Sequence, residues 1–317
     1  TQSRALIEKF GSLKSAMQST GDLVKLLKVV FPIRANPGAS KNPENPELPA
    51  TDKFSRTQLL LSPWQLVEEN YPVPLSGGLA ARYSDYVPTK DEYLEATSKS
   101  PMFGVDCEMC RTSTGMSELT RVSVVDETMK IVYESLVKPD NKITDYLTRF
   151  SGITKEMLEN VTTTLADVQK ALREILPADA ILVGQSLNCD LDALKMMHPY
   201  VIDTSVIFNL SGERYKKTKL QVLAREFLNE RIQESKAGHC STEDSQASMK
   251  LVQLKLANTV DFGDAVLGGQ KKLEATLRKQ KFQEQVEKFG VSIFKHVTKD
   301  KRTAAIVGTP DVMNEYS

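Results

Sequence analysis

The sequence predicts a mixed α/β fold, in which a sheet of antiparallel and parallel strands is flanked by helices and preceded by a mainly helical N-terminal extension. Three apolar segments lie between residues 102 and 137, and the second and third are joined by a short connection, which is typical of antiparallel strands. From residue 154 to residue 257, helical patterns alternate with short apolar strands, and this completes a mixed sheet. The composition, 40% hydrophobic and 26% charged, is that of an ordinary globular protein.

The first part of the chain, residues 1–98, is predicted to be a helical and irregular accessory region. Apolar residues at helical spacing predict a helix within residues 4–31, and the Pro- and Asn-rich residues 36–50 predict a linker. Residues 62–65 (Ser-Pro-Trp-Gln) predict the start of a short helix, because Ser caps it, Pro suits its first position and Gln completes a capping box. We interpret Trp64, the only tryptophan, as a packing anchor for this region.

The second part, residues 99–258, contains the predicted sheet. Residues 102–107, 119–126 and 130–137 are predicted strands, because Val, Ile and other β-forming residues are concentrated in them. The short connection after Asp126 favours an antiparallel hairpin between the second and third of these strands.

The remaining elements of this part are predicted from helix caps and apolar runs. Thr154 and Thr164 are predicted to cap two helices, the second of which extends to residue 176. Thr218 with Gln221 predicts a capping box that opens a further helix. The other elements are short strands at 180–184 and 201–203, a helix that carries Asp190, and a strong helix at 241–257.

The last part, residues 259–317, is predicted to be a C-terminal helical extension and tail, with a charged helix at 268–288. Across the chain 41 Lys and Arg balance 41 Asp and Glu, so any attraction to nucleic acid depends on local basic patches. No apolar run approaches the length that a membrane span needs, so we expect no membrane association.

Asp106 and Glu108 form a carboxylate pair at the end of the first predicted strand. Residues two apart on a strand point to the same face, so the two carboxylates are expected side by side. Two neighbouring carboxylates repel each other and are costly to bury, and a hard divalent cation removes that cost. Mg²⁺ takes carboxylates together with phosphate oxygens, so the pair predicts a metal-dependent enzyme that acts on phosphate esters.

Three more residues can complete this site. Asp190 follows a loop at a strand-to-helix junction, which is a frequent ligand position in α/β sheets. Asp244 lies in the first turn of the last strong helix, five residues after His239. One loop-helix junction can therefore present an imidazole and a carboxylate to the same place.

The cysteines offer an alternative metal site. Cys107 and Cys110 form a C-x-x-C pair, but a zinc site needs two more ligands. Cys107 alternates with the two carboxylates, so on a strand it points to the opposite face. We interpret the thiols as small packing residues of a protein from a reducing compartment.

The order D-x-E, then D, then H-x4-D resembles the DEDDh superfamily of 3′→5′ exonucleases, and within it the Rex-type RNA exonucleases. The resemblance extends through roughly residues 100–257 and implies a ribonuclease H-like architecture. It rests on five segments: 104–110 (GVDCEMC), 118–122 (ELTRV), 145–154 (DYLTRFSGIT), 186–191 (SLNCDL) and 239–244 (HCSTED).

The resemblance implies roles for five residues. The four carboxylates, Asp106, Glu108, Asp190 and Asp244, would hold two Mg²⁺ or Mn²⁺ ions roughly 4 Å apart. His239 would act as the general base that takes a proton from water, a task for which the unperturbed pKa of an imidazole, ~6.5, is suitable. Attack on the last phosphodiester bond would release a nucleoside 5′-monophosphate.

The resemblance also implies contacts to the terminal nucleotide from six further residues. These are Met109, Cys110, Arg149, Ser151, Ser186 and Leu187. Family members usually carry His immediately before the Ser of the fourth segment, whereas this chain has Gln185, which leaves the role of that loop open.

The leading interpretation is a metal-dependent 3′→5′ exoribonuclease that trims the 3′ ends of non-coding RNA such as rRNA, snoRNA or tRNA. Its expected partner is RNA with a free, single-stranded 3′ end, and by resemblance we expect a monomer in the nucleus, within the nucleolus. A DNA 3′→5′ exonuclease of proofreading type shares the acids and stays an alternative. A non-catalytic RNA-binding scaffold is the second alternative, which the presence of all five catalytic positions disfavours.

Overall fold

The computed structural model describes residues 27–39 except 29, 47–74, 81–235 and 238–299, with side chains through residue 286. Its central sheet has six strands and confirms the predicted mixed α/β fold. The strands are β1 (Met102–Thr112), β2 (Ser117–Val125), β3 (Ile131–Leu136), β4 (Ile143–Asp145), β5 (Ile181–Gly184) and β6 (Val201–Asp203).

The sheet has the strand order β6-β5-β1-β2-β3, and β4 pairs with the far end of β1. β1 is antiparallel to β2 and parallel to β5, and β5 is parallel to β6. β1 therefore lies in the middle of the sheet, where the carboxyl ends of the parallel strands come together. Two short pairs lie outside the sheet: Ile33–Arg34 with Tyr93–Leu94, and Val87–Pro88 with Met196–Met197.

α-Helices precede, connect and follow these strands along the chain. They are α1 (Pro63–Glu68), α2 (Thr148–Ser151), α3 (Lys155–Leu158), α4 (Leu165–Ile175), α5 (Asn188–Ala193), α6 (Thr204–Ile207), α7 (Leu220–Leu223), α8 (Ser241–Leu256) and α9 (Ala265–Lys299). The predicted capping box of α1 is present, and so are the Thr154 and Thr164 caps of α3 and α4. The helix predicted within residues 4–31 lies mostly outside the described residues.

Two local predictions are wrong. β1 does not end at the carboxylates, because after a register shift between Glu108 and Met109 it continues to pair with β2 and β4. The capping box expected at Thr218 does not form, because Lys219 occupies the cap position of α7 and makes no side-chain cap bond. The Thr218 backbone carbonyl instead accepts a hydrogen bond from Gln185 Nε2 (2.9 Å), so a tertiary contact replaces the local one.

The α8 helix packs directly on β1, β2 and β5. Gly104 permits this packing because it has no side chain. A Cβ atom at this position would lie 2.7 Å from the Ser245 carbonyl oxygen. Ser245 follows Asp244, so the same approach brings the first turn of α8 toward the carboxylates of β1.

The N-terminal region packs against the sheet domain. Leu61 N donates to the Val201 carbonyl (2.8 Å), and Tyr71 Oη donates to Asp203 Oδ2 (2.6 Å). The chain divides into two compact units, Thr1–Ala265 and Val266–Ser317. Among the described residues, no helix is long and apolar enough to cross a membrane.

Candidate active site

The four predicted carboxylates come together at β1. Asp106 and Glu108 share one face of the strand, and Asp190 approaches from the first turn of α5. Asp190 Oδ1 accepts a hydrogen bond from Cys107 N (2.7 Å), which fixes it between the two strand acids. Asp244 approaches from the first turn of α8. Asp106 is half-buried, and the other three side chains are buried.

The burial of the four acids and their close approach raise the carboxyl pKa values. Burial raises the pKa of Asp106 well above its usual range, and repulsion by Asp190, Asp244 and Glu108 raises this pKa further. Burial raises the pKa of Glu108 to about 8 against the opposing effect of the Arg121 guanidinium. Burial also raises the pKa of Asp244 to about 6 and that of Asp190 well above its usual range. Ionisation of all four carboxyl groups is therefore unfavourable unless a cation is bound.

The site fits divalent metal ions by its donor chemistry. Glu108 Oε1 and Asp244 Oδ1 are buried without a hydrogen-bond partner, and a buried carboxylate oxygen left unpaired is costly. Carboxylate oxygens are the ligands that Mg²⁺ and Mn²⁺ prefer. Within the described residues, no three His, Cys, Asp or Glu side chains form a ready-made metal site.

His239 lies at the edge of this acidic cluster. Its Nδ1 is 3.8 Å from Asp244 Oδ2, and its side chain remains 38% exposed. The backbone fixes the position, because His239 N donates to the Phe150 carbonyl (2.7 Å). The preceding Gly238 has a positive φ of 108°, and a Cβ atom there would meet the backbone of Gly152. An accessible imidazole thus stands beside the carboxylates, as the sequence predicts.

A protein-family model described as Exonuclease matches residues 103–252, the region that contains all five of these side chains. Residues 103–252 form an exonuclease domain.

Curated relatives of this exonuclease domain are RNA exonucleases. The chain is 48% identical over 202 residues to RNA exonuclease 5 of Bos taurus, covering 63% of this chain and 25% of that protein. It is 43% identical over 240 residues to RNA exonuclease 5 of Homo sapiens, covering 74% and 30%. It is 41% identical over 218 residues to RNA exonuclease 1 of Saccharomyces cerevisiae, covering 68% and 38%. The chain thus spans 25% to 38% of the length of these relatives.

The similarity to a solved structure is weaker than these sequence similarities. The catalytic unit of Pan2 from Neurospora crassa superposes with a TM-score of 0.45 at 24% identity, covering 56% of this chain and 29% of that one. The assignment of the exonuclease domain therefore rests on the sequence matches.

Arg121 is a residue of the exonuclease domain to which no role was assigned from the sequence. It lies opposite Glu108 in the β1–β2 register, with Nη2 3.7 Å from Glu108 Oε1. The same Nη2 donates to the carbonyl of His239 (3.0 Å) and to that of Ser151 (3.3 Å). One guanidinium therefore joins a strand acid to the two loops beside it. The segment 118–122 (ELTRV) contains Arg121, but its sequence does not indicate which acid or carbonyl the guanidinium contacts.

The six residues expected to contact the substrate differ in accessibility. Arg149 is exposed, and Met109 and Ser186 are half-buried. The other three, Cys110, Ser151 and Leu187, are at most 2% exposed. Their side chains lack accessible surface in this structure, and their direct contact with the nucleotide stays a prediction.

Ser151 and Phe150 show how this part of the exonuclease domain is built. Ser151 Oγ donates to the Tyr146 carbonyl (2.8 Å) and accepts from Ile153 N (3.1 Å), so these two hydrogen bonds stabilise the local backbone.

Phe150 is 60% exposed, and its ring centre lies 6.0 Å from the Arg149 guanidinium. Sequence analysis assigned no role to Phe150, although an exposed aromatic next to a cation suits a nucleobase.

Gln185 links two segments near the acids. Its Oε1 accepts from Thr204 Oγ1 (2.6 Å), and its Nε2 donates to the Thr218 carbonyl (2.9 Å). The following Ser186 has a positive φ of 55°, and its N donates to Asp203 Oδ1 (2.8 Å). Gln185 thus holds the strand-to-helix loop against the segment before α7.

The cysteines are free thiols. Cys107 and Cys110 are buried within the sheet, which agrees with the packing role predicted for them. Cys189 and Cys240 are exposed.

Proposed function

We propose that the protein is a metal-dependent 3′→5′ exoribonuclease that hydrolyses RNA to nucleoside 5′-monophosphates. The observation that carries this proposal is the cluster of four mutually repelling carboxylates with two unpaired buried oxygens beside an accessible imidazole. The names of the curated relatives support RNA as the substrate.

Asp106, Glu108, Asp190 and Asp244 would hold two Mg²⁺ or Mn²⁺ ions. When bound, the ions supply a water of lowered pKa and stabilise the negative charge on the leaving 3′ oxygen. The repulsion that raises the carboxyl pKa values becomes attraction once the cations are present.

His239 supplies the proton acceptor. Asp244 Oδ2 faces Nδ1, which favours the tautomer that carries its proton there and leaves Nε2 to accept a proton from water. The water oxygen forms a bond to phosphorus as the bond to the 3′ oxygen breaks. The leaving oxygen takes up a proton and becomes the 3′-hydroxyl of the shortened strand.

The exposed Arg149 and the half-buried Met109 would contact the terminal nucleotide, as the family resemblance implies. Arg149 suits phosphate or sugar oxygens because its guanidinium is a fixed array of donors. By family resemblance, the substrates are the 3′ ends of non-coding RNA in the nucleus.

The test is the degradation of single-stranded RNA labelled at its 5′ end, with DNA of equal sequence in parallel. We expect a ladder that shortens from the 3′ end, nucleoside 5′-monophosphates as products, and no cutting of RNA blocked by a 3′-phosphate. Faster degradation of DNA would favour the proofreading-type alternative, and internal fragments would contradict an exonuclease.

The variant Asp106→Ala distinguishes the enzyme hypothesis from the hypothesis of a non-catalytic RNA-binding scaffold. We expect it to abolish turnover because it removes the central carboxylate, while circular dichroism shows an unchanged fold. Equal turnover by this variant would contradict the proposed site.

A further inference from the structure

A cleft of about 430 Å³ lies between α1 and the loop of residues 210–219, which precedes α7. We call it the α1–loop cleft. Its lining includes two aromatic side chains, Trp64 and Tyr215, and the Asn70 amide. None of the catalytic or terminal-nucleotide residues described above lines this cleft. The proposed hydrolysis reaction therefore gives its lining residues no role.

The aromatic side chains of the α1–loop cleft are accessible. Trp64 is half-buried, so part of its ring is accessible, and its role as a packing anchor stays a prediction. Tyr215 is 83% exposed, more than any other large hydrophobic side chain in the described residues. The Arg214 guanidinium lies 5.9 Å from the Tyr215 ring centre. Exposed aromatic rings next to cations are the usual platform for unpaired nucleobases.

The loop side of the cleft is basic. Residues 210–219 contain three Lys and one Arg against one Glu, whereas the whole chain has a formal net charge of +0. Arg214 pairs with Glu68 (2.9 Å) and Lys217 with Glu69 (2.7 Å) across the cleft. Solvent-accessible ion pairs of this kind contribute little to stability, so a phosphate can compete for the cations.

Both walls of the cleft are tied to the active-site loop. On one side, the Thr218 carbonyl accepts a hydrogen bond from Gln185 Nε2 (2.9 Å). On the other side, Tyr71, which follows α1, donates to Asp203 Oδ2 (2.6 Å), and Asp203 Oδ1 accepts from Ser186 N (2.8 Å). The two walls thus meet at consecutive residues immediately before the helix that carries a catalytic acid.

We propose that the α1–loop cleft binds an unpaired nucleotide of the RNA strand upstream of the scissile bond. Trp64 and Tyr215 stack on the base, and the cations of the loop hold the neighbouring phosphates. The inference rests on the proposed function, because it requires an RNA strand to enter the active site.

The first experiment uses the fluorescence of Trp64, the only tryptophan of the chain. Single-stranded RNA of about 12 nucleotides is titrated in EDTA, so that binding is measured without turnover. We expect quenching that saturates, and none with a dinucleotide, which leaves no nucleotide for the cleft. Tyr215→Ala should weaken binding about tenfold, whereas Tyr215→Phe should retain it, because stacking needs only the ring.

Charge variants provide the matched comparison. Lys217→Ala, which removes a cation that lines the cleft, should reduce the slope of log K against log salt by about 0.7, the value for one lost phosphate contact on a single strand. Lys170→Ala, an exposed cation on α4 that does not line the cleft, should leave both affinity and slope unchanged. In turnover with metal, Tyr215→Ala should raise KM for the long RNA and leave the dinucleotide rate unchanged.

Three outcomes would overturn the inference: no quenching by RNA, equal binding by Tyr215→Ala, or quenching by polyglutamate but not by RNA. The last outcome would identify a docking surface for an acidic protein segment. A failure of the proposed function is recognised separately, because the wild-type protein would then leave 5′-labelled RNA intact.

Discussion

Glu108 shows how one residue can serve function at the expense of stability. Its side chain is 7% exposed, one oxygen has no hydrogen-bond partner, and burial raises its pKa to about 8. In the unfolded chain its pKa is near 4.5. Above that pH the unfolded state ionises while the folded state retains the proton, so the free energy of unfolding falls as pH rises toward 8.

Glu108→Gln should therefore stabilise the metal-free protein at pH 8 and abolish turnover. The gain should be about 2–5 kcal/mol at pH 8 and near zero at about pH 4, where both states of the wild-type carboxyl are protonated. Urea denaturation in EDTA across this pH range measures the effect. Equal stability of the two proteins at pH 8 would show that the carboxyl is not buried as described.

Arg121 acts through other residues, because it contacts the backbone carbonyls of Ser151 and His239 and the Glu108 carboxylate. Arg121→Met should lower kcat by about 10²-fold with little change in KM, since a misplaced general base slows chemistry more than binding. Arg121→Lys should recover part of the rate. An unchanged kcat in Arg121→Met would remove Arg121 from the positioning of His239.

At the scale of elements, the site depends on how closely α8 approaches β1. A Cβ atom at residue 104 would lie 2.7 Å from the Ser245 carbonyl, and backbone cannot move aside as a flexible side chain can. The helix carries Asp244 in its first turn, so a small displacement of α8 separates one of the proposed metal ligands from the other three.

Gly104→Ala should destabilise the exonuclease unit by about 1–3 kcal/mol, the usual cost of overpacking, and weaken Mn²⁺ binding. Gly268→Ala is the matched control, because a Cβ atom there meets nothing within 4 Å. Thermal denaturation followed by calorimetry measures both variants. A Gly104→Ala protein with the wild-type midpoint would mean that α8 does not approach β1 this closely.

At the scale of the whole molecule, local patterns in the sequence predicted the elements better than the contacts between them. The alternation along β1 placed Asp106 and Glu108 on one face, and caps located α1, α3 and α4. The capping box at Thr218 failed because Gln185, 33 residues away, binds the Thr218 carbonyl. Such a contact depends on the completed fold.

In the candidate active site, too, contacts that depend on the completed fold were not predicted from the sequence. The family resemblance predicted five catalytic residues, which the structure brings close together, whereas the burial of Cys110, Ser151 and Leu187 follows only from packing. The role of Arg121 depends on the register of β1 with β2. When the role of a residue depends on a contact with a neighbouring strand, the local sequence does not predict that role.

The central claim is that Asp106, Glu108, Asp190 and Asp244 together hold two divalent cations. Titration of the metal-free protein with Mn²⁺ at about pH 8, followed by isothermal calorimetry, tests it most directly, since the carboxyls ionise on binding. We expect two ions per wild-type chain and at most one per Asp106→Asn chain. Absence of binding to the wild-type protein, or equal stoichiometry in the variant, would contradict the claim.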